Sequence, residues 1–265
     1  MNPENEQTFL LNDLLRNRID RSNGWIPFDL FFNTVMYEPG LGYYSSGSYK
    51  IGEGGDYTTA PEISKYFSKS IANQTMRLLD MHDSPSVIEI GAGKGTFAFE
   101  YLKALRETKT EIEHYYILEI SADLRDRQMQ LISGLPEDLR NKVTWLESLD
   151  IEPIDGIVLA NEVIDALPFK RFCIENKQVY ELGITYSDGA FKVSKKESSK
   201  KLRDQVEAIS VEIERKIEDG FTSEIRLDFH KWFRSISSLI RKGSMIFIDY
   251  GYDRNDFYRP ERSSG

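Results

Sequence analysis

Glu89-Ile90-Gly91-Ala92-Gly93-Lys94-Gly95-Thr96 is the stretch on which the fold turns. Before it, Val87-Ile88-Glu89-Ile90 is a short apolar run with strand character, and after it Thr96 to Leu105 has helical spacing. Glycines between a strand and a helix let the backbone turn sharply and let a ligand approach the main chain closely. Their spacing discriminates among ligands. A P-loop needs glycine five residues before Gly93 and Ser or Thr directly after the lysine; Ile88 and Gly95 stand there, which excludes it. The dinucleotide fingerprint would place its third small residue at Thr96 and fits poorly.

The remaining pattern, acid-x-Gly-x-Gly-x-Gly, resembles motif I of class I S-adenosylmethionine (SAM)-dependent methyltransferases, whose turn cradles an amino acid and a ribose instead of a pyrophosphate. The resemblance assigns Glu89, Gly91, Gly93 and Gly95 to the cofactor. A second acid should then close the next strand and take the ribose hydroxyls, as in dinucleotide folds. Glu119 ends Tyr116-Ile117-Leu118, 24 residues beyond Gly95. On the third strand candidate, Val143-Thr144-Trp145-Leu146, Trp145 either offers a face to adenine or fills the core. Glu147 and Ser148 follow within reach of an adenine amine.

Outward from this turn, short apolar runs alternate with helical patterns. Strands are expected at Val87–Ile90, Tyr115–Ile120, Val143–Leu146, Gly156–Ala160 and Ser244–Asp249, with helices between them. Such alternation predicts an α/β fold, a Rossmann-like, mostly parallel sheet with helices on both faces. Residues 7–22 have helical spacing, and a helix is expected from Pro61, capped by Thr59, to about Leu79. Phe169–Ile174, Val179–Thr185 and Phe191–Val193 read as a β-meander turning at Asn176-Lys177 and Ser187-Asp188-Gly189. A charged helix, about Lys200 to Ile217, follows, and Ile225 to Arg241 reads as helical with Lys242-Gly243 as its stop. Three parts are therefore expected: 1–80, an N-terminal extension and lid; 81–168 with 225–265, the SAM-binding core; and 169–224, an inserted meander and helix. The last residues read as an unfinished loop.

Composition narrows the function classes. The 265 residues are 40% hydrophobic and 12% aromatic, a globular profile. A net charge of -9 repels phosphate backbones and argues against a broad nucleic-acid footprint. Lys195-Lys196, Lys200, Lys201 and Arg203 are interrupted by Glu197 and Asp204 and read as a solvated helix start. Cys173 is the sole cysteine, so no intrachain disulfide forms, and its apolar neighbours predict a buried structural thiol. No apolar run approaches the ~20 residues of a membrane span, and the first ten residues lack signal-peptide character. His82, His114 and His230 show no metal-ligand spacing, so no metal is expected. A reducing, cytoplasmic address is the expectation; the oligomeric state is left open.

Several blocks together resemble one family. Gly42-Tyr43-Tyr44, Gly55-Asp56-Tyr57-Thr58-Thr59-Ala60-Pro61-Glu62-Ile63-Ser64, the glycine turn, Leu118-Glu119-Ile120-Ser121, Ala160-Asn161-Glu162-Val163-Ile164-Asp165-Ala166-Leu167-Pro168 and Ile248-Asp249-Tyr250-Gly251-Tyr252 are similar to the MidA-like family. Its mitochondrial-matrix members are methyltransferases that modify an arginine of a respiratory complex I subunit. The resemblance implies SAM as cofactor and a protein acceptor, such as a respiratory NADH dehydrogenase subunit. With it, Thr59, Pro61, Glu62 and Asn161 join the cofactor contacts. The family continues well past Arg262, and class I sheets usually end in a hairpin after the fifth strand, so that strand is expected without its neighbour.

Methyl transfer from a sulfonium is an in-line displacement in which positioning carries much of the catalysis. Carboxylates bind a guanidinium's planar fork and orient one nitrogen. Glu162 and Asp165 follow the fourth strand, at the edge where ligands gather in open α/β sheets, and are the catalytic candidates. Both also suit loop or helix capping. The Tyr43-to-Glu62 stretch is expected to fold over cofactor and substrate. Competing functions are a SAM-binding assembly factor without turnover and a small-molecule methyltransferase.

Overall fold

The structure is a computed structural model that describes residues 3–45 and 58–263. Residues 46–57, which include Gly55-Asp56-Tyr57 and most of the expected lid, lie outside the described residues.

The chain opens with α1 (Pro3–Arg21), β1 (Ile26–Pro27) and α2 (Phe28–Tyr37), then α3 (Ala60–Ile63) and α4 (Lys65–Leu79). The alternating region follows as β2 (Ser86–Ile90), α5 (Thr96–Thr108), β3 (Tyr115–Leu118), α6 (Ala122–Ile132), α7 (Glu137–Arg140), β4 (Val143–Leu146) and β5 (Ile154–Asn161). Next come the meander β6 (Lys170–Glu175), β7 (Gln178–Ser187) and β8 (Ala190–Glu197), then α8 (Lys200–Glu212) and β9 (Thr222–Ile225). The chain closes with α9 (Phe229–Ser237), β10 (Ile240–Ile248), α10 (Arg254–Phe257) and a 3-10 turn at Pro260–Arg262.

Two compact units result. Described residues 58–166 and 231–249 form the parallel-sheet unit, with strand order β10-β5-β2-β3-β4 and every neighbour parallel. Alternation along the strands separates two apolar layers. Val87, Tyr115, Ile117, Ile157 and Leu159 pack with residues of α4 and α5, whereas Ile88, Ile90, Val158 and Ala160 pack with Trp232, Ile236 and Leu239 around α9. This is the expected class I fold with helices on both faces. β10 forms one edge of the sheet among the described residues.

Described residues 3–45, 167–230 and 250–263 form the second unit. Its sheet runs β1-β7-β6-β9, with β8 also on β7. Both hairpins turn on two residues with positive φ: Asn176 at 51° and Lys177 at 63°, then Asp188 at 51° and Gly189 at 77°. Such turns match the twist of paired strands. Leu202, Val206, Ile209 and Ile213 recur at helical spacing and cover Phe172 and Ile174. Cys173, expected to be buried, is half-buried on β6, and burial raises its thiol pKa.

Several boundaries differ from expectation. The helix expected from Pro61 to Leu79 is broken at Ser64, whose extended backbone lets Oγ accept from Tyr66 N at 3.2 Å and start α4 afresh. Thr59 occupies the N-cap position of α3 without a side-chain capping bond. Ile225 to Arg241 is not one helix. Thr222–Ile225 pairs with β6, and β10 already begins at Ile240, so Lys242-Gly243 lies inside a strand. Gly243 has φ +145°, and a Cβ there would run into the Gly156 carbonyl. The end of the chain is not an open loop: Tyr258 is buried in the α8 cluster, and its hydroxyl donates to Glu224 O at 3.0 Å. The two units cut across the expected three-part division, because β1 pairs with β7 and thereby takes residues 3–45 to the meander.

Candidate cofactor and catalytic site

The parallel sheet has a topological switch between β2 and β5. From β2 the chain proceeds to β3 and β4 on one side, then returns to β5 and β10 on the other. Ligands of open α/β sheets bind where the carboxyl ends of such strands part. The glycine turn leaves β2 at this point. Gly91, Gly93 and Gly95 have φ of 66°, 55° and 87°, a region that side chains disfavour. Two of them are also pressed by neighbours. A Cβ on Gly91 would meet Val163 Cγ2 at 3.0 Å, and one on Gly95 would meet Gln128 Cγ at 3.2 Å.

Glu119 follows β3 and is oriented by two donors. Its Oε1 accepts from Ser121 N at 2.9 Å and its Oε2 from Gln128 Nε2 at 3.1 Å. Burial raises its pKa, and those hydrogen bonds oppose the shift. Gln128 also donates to Gly93 O at 2.8 Å and accepts from Trp145 Nε1 at 2.9 Å. Of the two roles left open for Trp145, the structure shows packing against the core, and its indole N–H bonds Gln128. Gln128 carried no motif. The readable signal was a glutamine four residues before Ile132 on the buried face of α6.

Glu89 is buried within the sheet, and Tyr115 Oη donates to its Oε2 at 2.7 Å. Burial pushes its carboxyl up to about 8, with the nearby Glu119 charge adding to the rise and the Tyr115 bond opposing it. Glu89 thus braces the strand end beneath the turn. Glu147 and Ser148 are engaged elsewhere, with Arg125 Nη2 at 2.6 Å and Asp150 N at 3.2 Å.

At the end of β5, Glu162 has φ 52°, a strained value for a residue with a Cβ. Its N–H donates to Ile248 O at 2.8 Å, on the neighbouring β10. Its Oε1 lies 3.2 Å from Asn161 Nδ2 and 3.4 Å from Ala60 N, so the side chain reaches the start of α3. Asn161 Oδ1 is buried and has no hydrogen-bond partner among the described residues. Asp165 is placed through its backbone. Its N–H and that of Ile164 donate to Asp249 Oδ2 at 3.2 and 2.9 Å. Asp249 follows β10, and its role had no sequence signal beyond its family block. On α3, Pro61 is buried and Glu62 Oε2 lies 3.3 Å from Lys94 Nζ of the glycine turn. Lys94 is a second residue whose role has no signal in the sequence.

The residues present fit a SAM molecule. Three glycines leave a cradle free of Cβ atoms, Glu119 presents an oriented carboxylate, and Asn161 Oδ1 is a buried acceptor short of a donor. Such an unpaired acceptor costs about 1–3 kcal/mol unless a ligand N–H or O–H supplies the bond. Among the described residues, no group of His, Cys, Asp and Glu is arranged to hold a metal ion, and no helix is long and apolar enough to cross a membrane.

Comparison with known proteins agrees with this geometry. Residues 70–265 match a family model described as "Putative S-adenosyl-L-methionine-dependent methyltransferase". A crystal structure from Burkholderia thailandensis, described as a "likely methyl transferase" bound to S-adenosyl-homocysteine, is 31% identical with a TM-score of 0.92, covering 100% of this chain and 68% of that one. A native crystal structure from the same organism is 30% identical with a TM-score of 0.87, covering 100% and 67%. The mitochondrial protein arginine methyltransferase NDUFAF7 homolog of Drosophila melanogaster is 30% identical over 196 residues, 65% of this chain and 45% of that protein. Its Caenorhabditis elegans counterpart is 27% identical over 189 residues, 63% of this chain and 44% of that protein. The chain therefore spans less than half the length of these curated relatives. With the matched family model covering most of its length and the glycine turn, Glu119 and the Asn161-Glu162 corner assembled at one sheet edge, this chain belongs to the MidA-like family of class I SAM-dependent methyltransferases.

Proposed function

We propose that this protein binds SAM at the β2/β5 edge and transfers its methyl group to an arginine of a protein acceptor, with Glu162 as the residue that engages the guanidinium. SAM is the cofactor of the family, and when bound it supplies an electrophilic methyl group on a sulfonium. Gly91, Gly93 and Gly95 would admit it to the backbone, Glu119 would take ribose hydroxyls, and Asn161 Oδ1 would accept one of its donors.

The observation that carries the catalytic reading is Glu162. A non-glycine residue is held in the left-handed region at the switch point, at a cost of about 1–3 kcal/mol. Any residue could end a strand; only a carboxylate gives a guanidinium a charge-assisted, planar partner. In this role Glu162 binds the acceptor, orients one nitrogen and holds the proton that nitrogen gives up. Asp165, whose backbone Asp249 fixes, stands three residues on as the second acid. The arginine acceptor is supported by the names of the Drosophila and Caenorhabditis relatives, which describe those proteins as arginine methyltransferases.

A second reading has its own observation. Glu162 Oε1 already faces Asn161 Nδ2 and the first amide of α3, the arrangement of a cap. A SAM-binding assembly factor without turnover would show the same. Incubating the chain with methyl-labelled SAM and a lysate lacking it, followed by mass spectrometry, separates the two. Label on an arginine supports the proposal, label on another group corrects the acceptor, and SAM binding with no transfer to any species favours the assembly factor.

A further inference from the structure

We propose that Gln128 is the positioning residue of the cofactor site: one carboxamide sets the glycine turn, the ribose acid and Trp145 in register with one another. This rests on the SAM-binding reading of the site.

The three partners of Gln128 come from three adjacent parallel strands. Gly93 lies beyond β2, Glu119 beyond β3, and Trp145 on β4. Both Nε2 hydrogens are used, on Gly93 O at 2.8 Å and Glu119 Oε2 at 3.1 Å, while Oε1 takes the Trp145 indole N–H at 2.9 Å. A carbonyl and a carboxylate oxygen can only accept, and an indole N–H can only donate, so chemistry dictates the orientation of this amide. Turned over, it would set oxygen against two acceptors and NH2 against a donor. Gln128 is fully buried, so water replaces none of these bonds if they are lost.

The arrangement acts on the ligand through Glu119. With Ser121 N–H on one oxygen and Gln128 on the other, the carboxylate is fixed in rotation, and each oxygen retains a lone pair for a hydroxyl. The same amide holds the carbonyl of Gly93, in the middle of the turn. Its own backbone is pressed on that turn as well, since Gln128 Cα lies 3.3 Å from where a Gly95 Cβ would stand. A shift of Gln128 therefore displaces the turn and the ribose acid together.

The test is calorimetric titration of S-adenosylhomocysteine into the unmodified chain, Gln128→Met and Gln128→Glu, each checked for folding by circular dichroism. Gln128→Met keeps volume and removes all three bonds, and should weaken binding about tenfold or more. Gln128→Glu keeps the Trp145 acceptor but loses both donors. It should bind as weakly at about pH 8 and recover toward about pH 5–6, where the new carboxyl gains a proton it can donate. Among titratable groups, Glu119 bonds Gln128 directly, Glu89 interacts with Glu119, and Lys94, Glu147 and Arg125 lie on the neighbouring turn, strand end and helix. All are present in the unmodified chain, so the difference between the two pH profiles belongs to position 128. Unchanged affinity in either folded variant overturns the proposal. Failure of both to fold also overturns it, by assigning Gln128 to the fold alone. If the unmodified chain does not bind S-adenosylhomocysteine, the SAM reading itself falls.

Discussion

Lys94 Nζ lies 3.3 Å from Glu62 Oε2, and this ion pair joins the glycine turn to α3. The side chains are only 18% and 14% exposed, which places the pair between a surface bridge and a buried one. Breaking it with Glu62→Leu alone should cost about 1–3 kcal/mol, above the exposed range and below the fully buried one. The double variant Glu62→Leu with Lys94→Met should lose less than the sum of the single changes, because neither charge is then left behind. Urea unfolding of the four proteins completes the cycle. Purely additive losses would show that the two groups do not interact.

Glu162 pairs a strained backbone with a carboxylate at the sheet edge, and two substitutions separate these properties. Glu162→Gly relieves the positive φ and should raise stability by about 1 kcal/mol, or leave it unchanged if the side-chain bonds offset the strain. Glu162→Gln keeps the shape and removes the charge. It should leave S-adenosylhomocysteine affinity nearly unaltered while methyl transfer falls by orders of magnitude, the pattern of lost transition-state stabilisation. Asp165→Asn should show a weaker form of the same split. Normal turnover by Glu162→Gln, together with faster hydrogen exchange at Ala60, would assign the carboxylate to capping α3.

How far the sequence could be read is clearest at particular positions. Val143–Leu146 is a strand over the residues expected, because a short apolar run between polar segments has few other uses in an alternating fold. The meander was legible because Asn176-Lys177 and Asp188-Gly189 tolerate positive φ at two successive positions. The positive φ of Gly91 and Gly95 and the place of Glu119 just after β3 were legible, because a glycine turn and the end of a short apolar run are local features. Gln128 and Asp249 were not, because their roles depend on partners 35 and 85 residues away that only strand order brings near. Thr222–Ile225 was misread for the same reason: pairing with β6 overrides its weak local preference.

Glu89 should give the protein a distinctive response to pH. Its folded carboxyl titrates near 8 instead of near 4.5, so between those values the folded chain holds a proton the unfolded chain has lost. Stability from this group is therefore full below about pH 4.5 and declines as pH rises toward 8, by about 1 kcal/mol per pH unit at the steepest. Glu89→Gln retains an acceptor for Tyr115 Oη and removes the titration. Its unfolding free energy, measured by urea at a series of pH values, should be flatter from about pH 5 to 8 than that of the unmodified chain. Parallel profiles would mean that Glu89 is ionised in the folded state.

Gly95 offers a test of how tightly α6 is pressed on the glycine turn. Its φ of +87° makes alanine strained there, and the new Cβ would stand 3.2 Å from Gln128 Cγ and 3.3 Å from Gln128 Cα. The first neighbour is a side chain that could swing aside, but only by giving up Gly93, Glu119 and Trp145. The second is backbone and moves only with the helix. Gly220 supplies the matched control, with φ +85° and nothing within 4 Å of where a Cβ would stand. Gly220→Ala should therefore register conformational strain alone, about 1–2 kcal/mol, and leave S-adenosylhomocysteine binding as it was. Gly95→Ala should cost clearly more and weaken that binding, since the turn or Glu119 must move to admit the methyl group. Both are read by urea unfolding and by calorimetry on the same preparations. Equal losses of stability with equal affinities would mean that α6 gives way freely, and that the contact between Gly95 and Gln128 does not constrain the site.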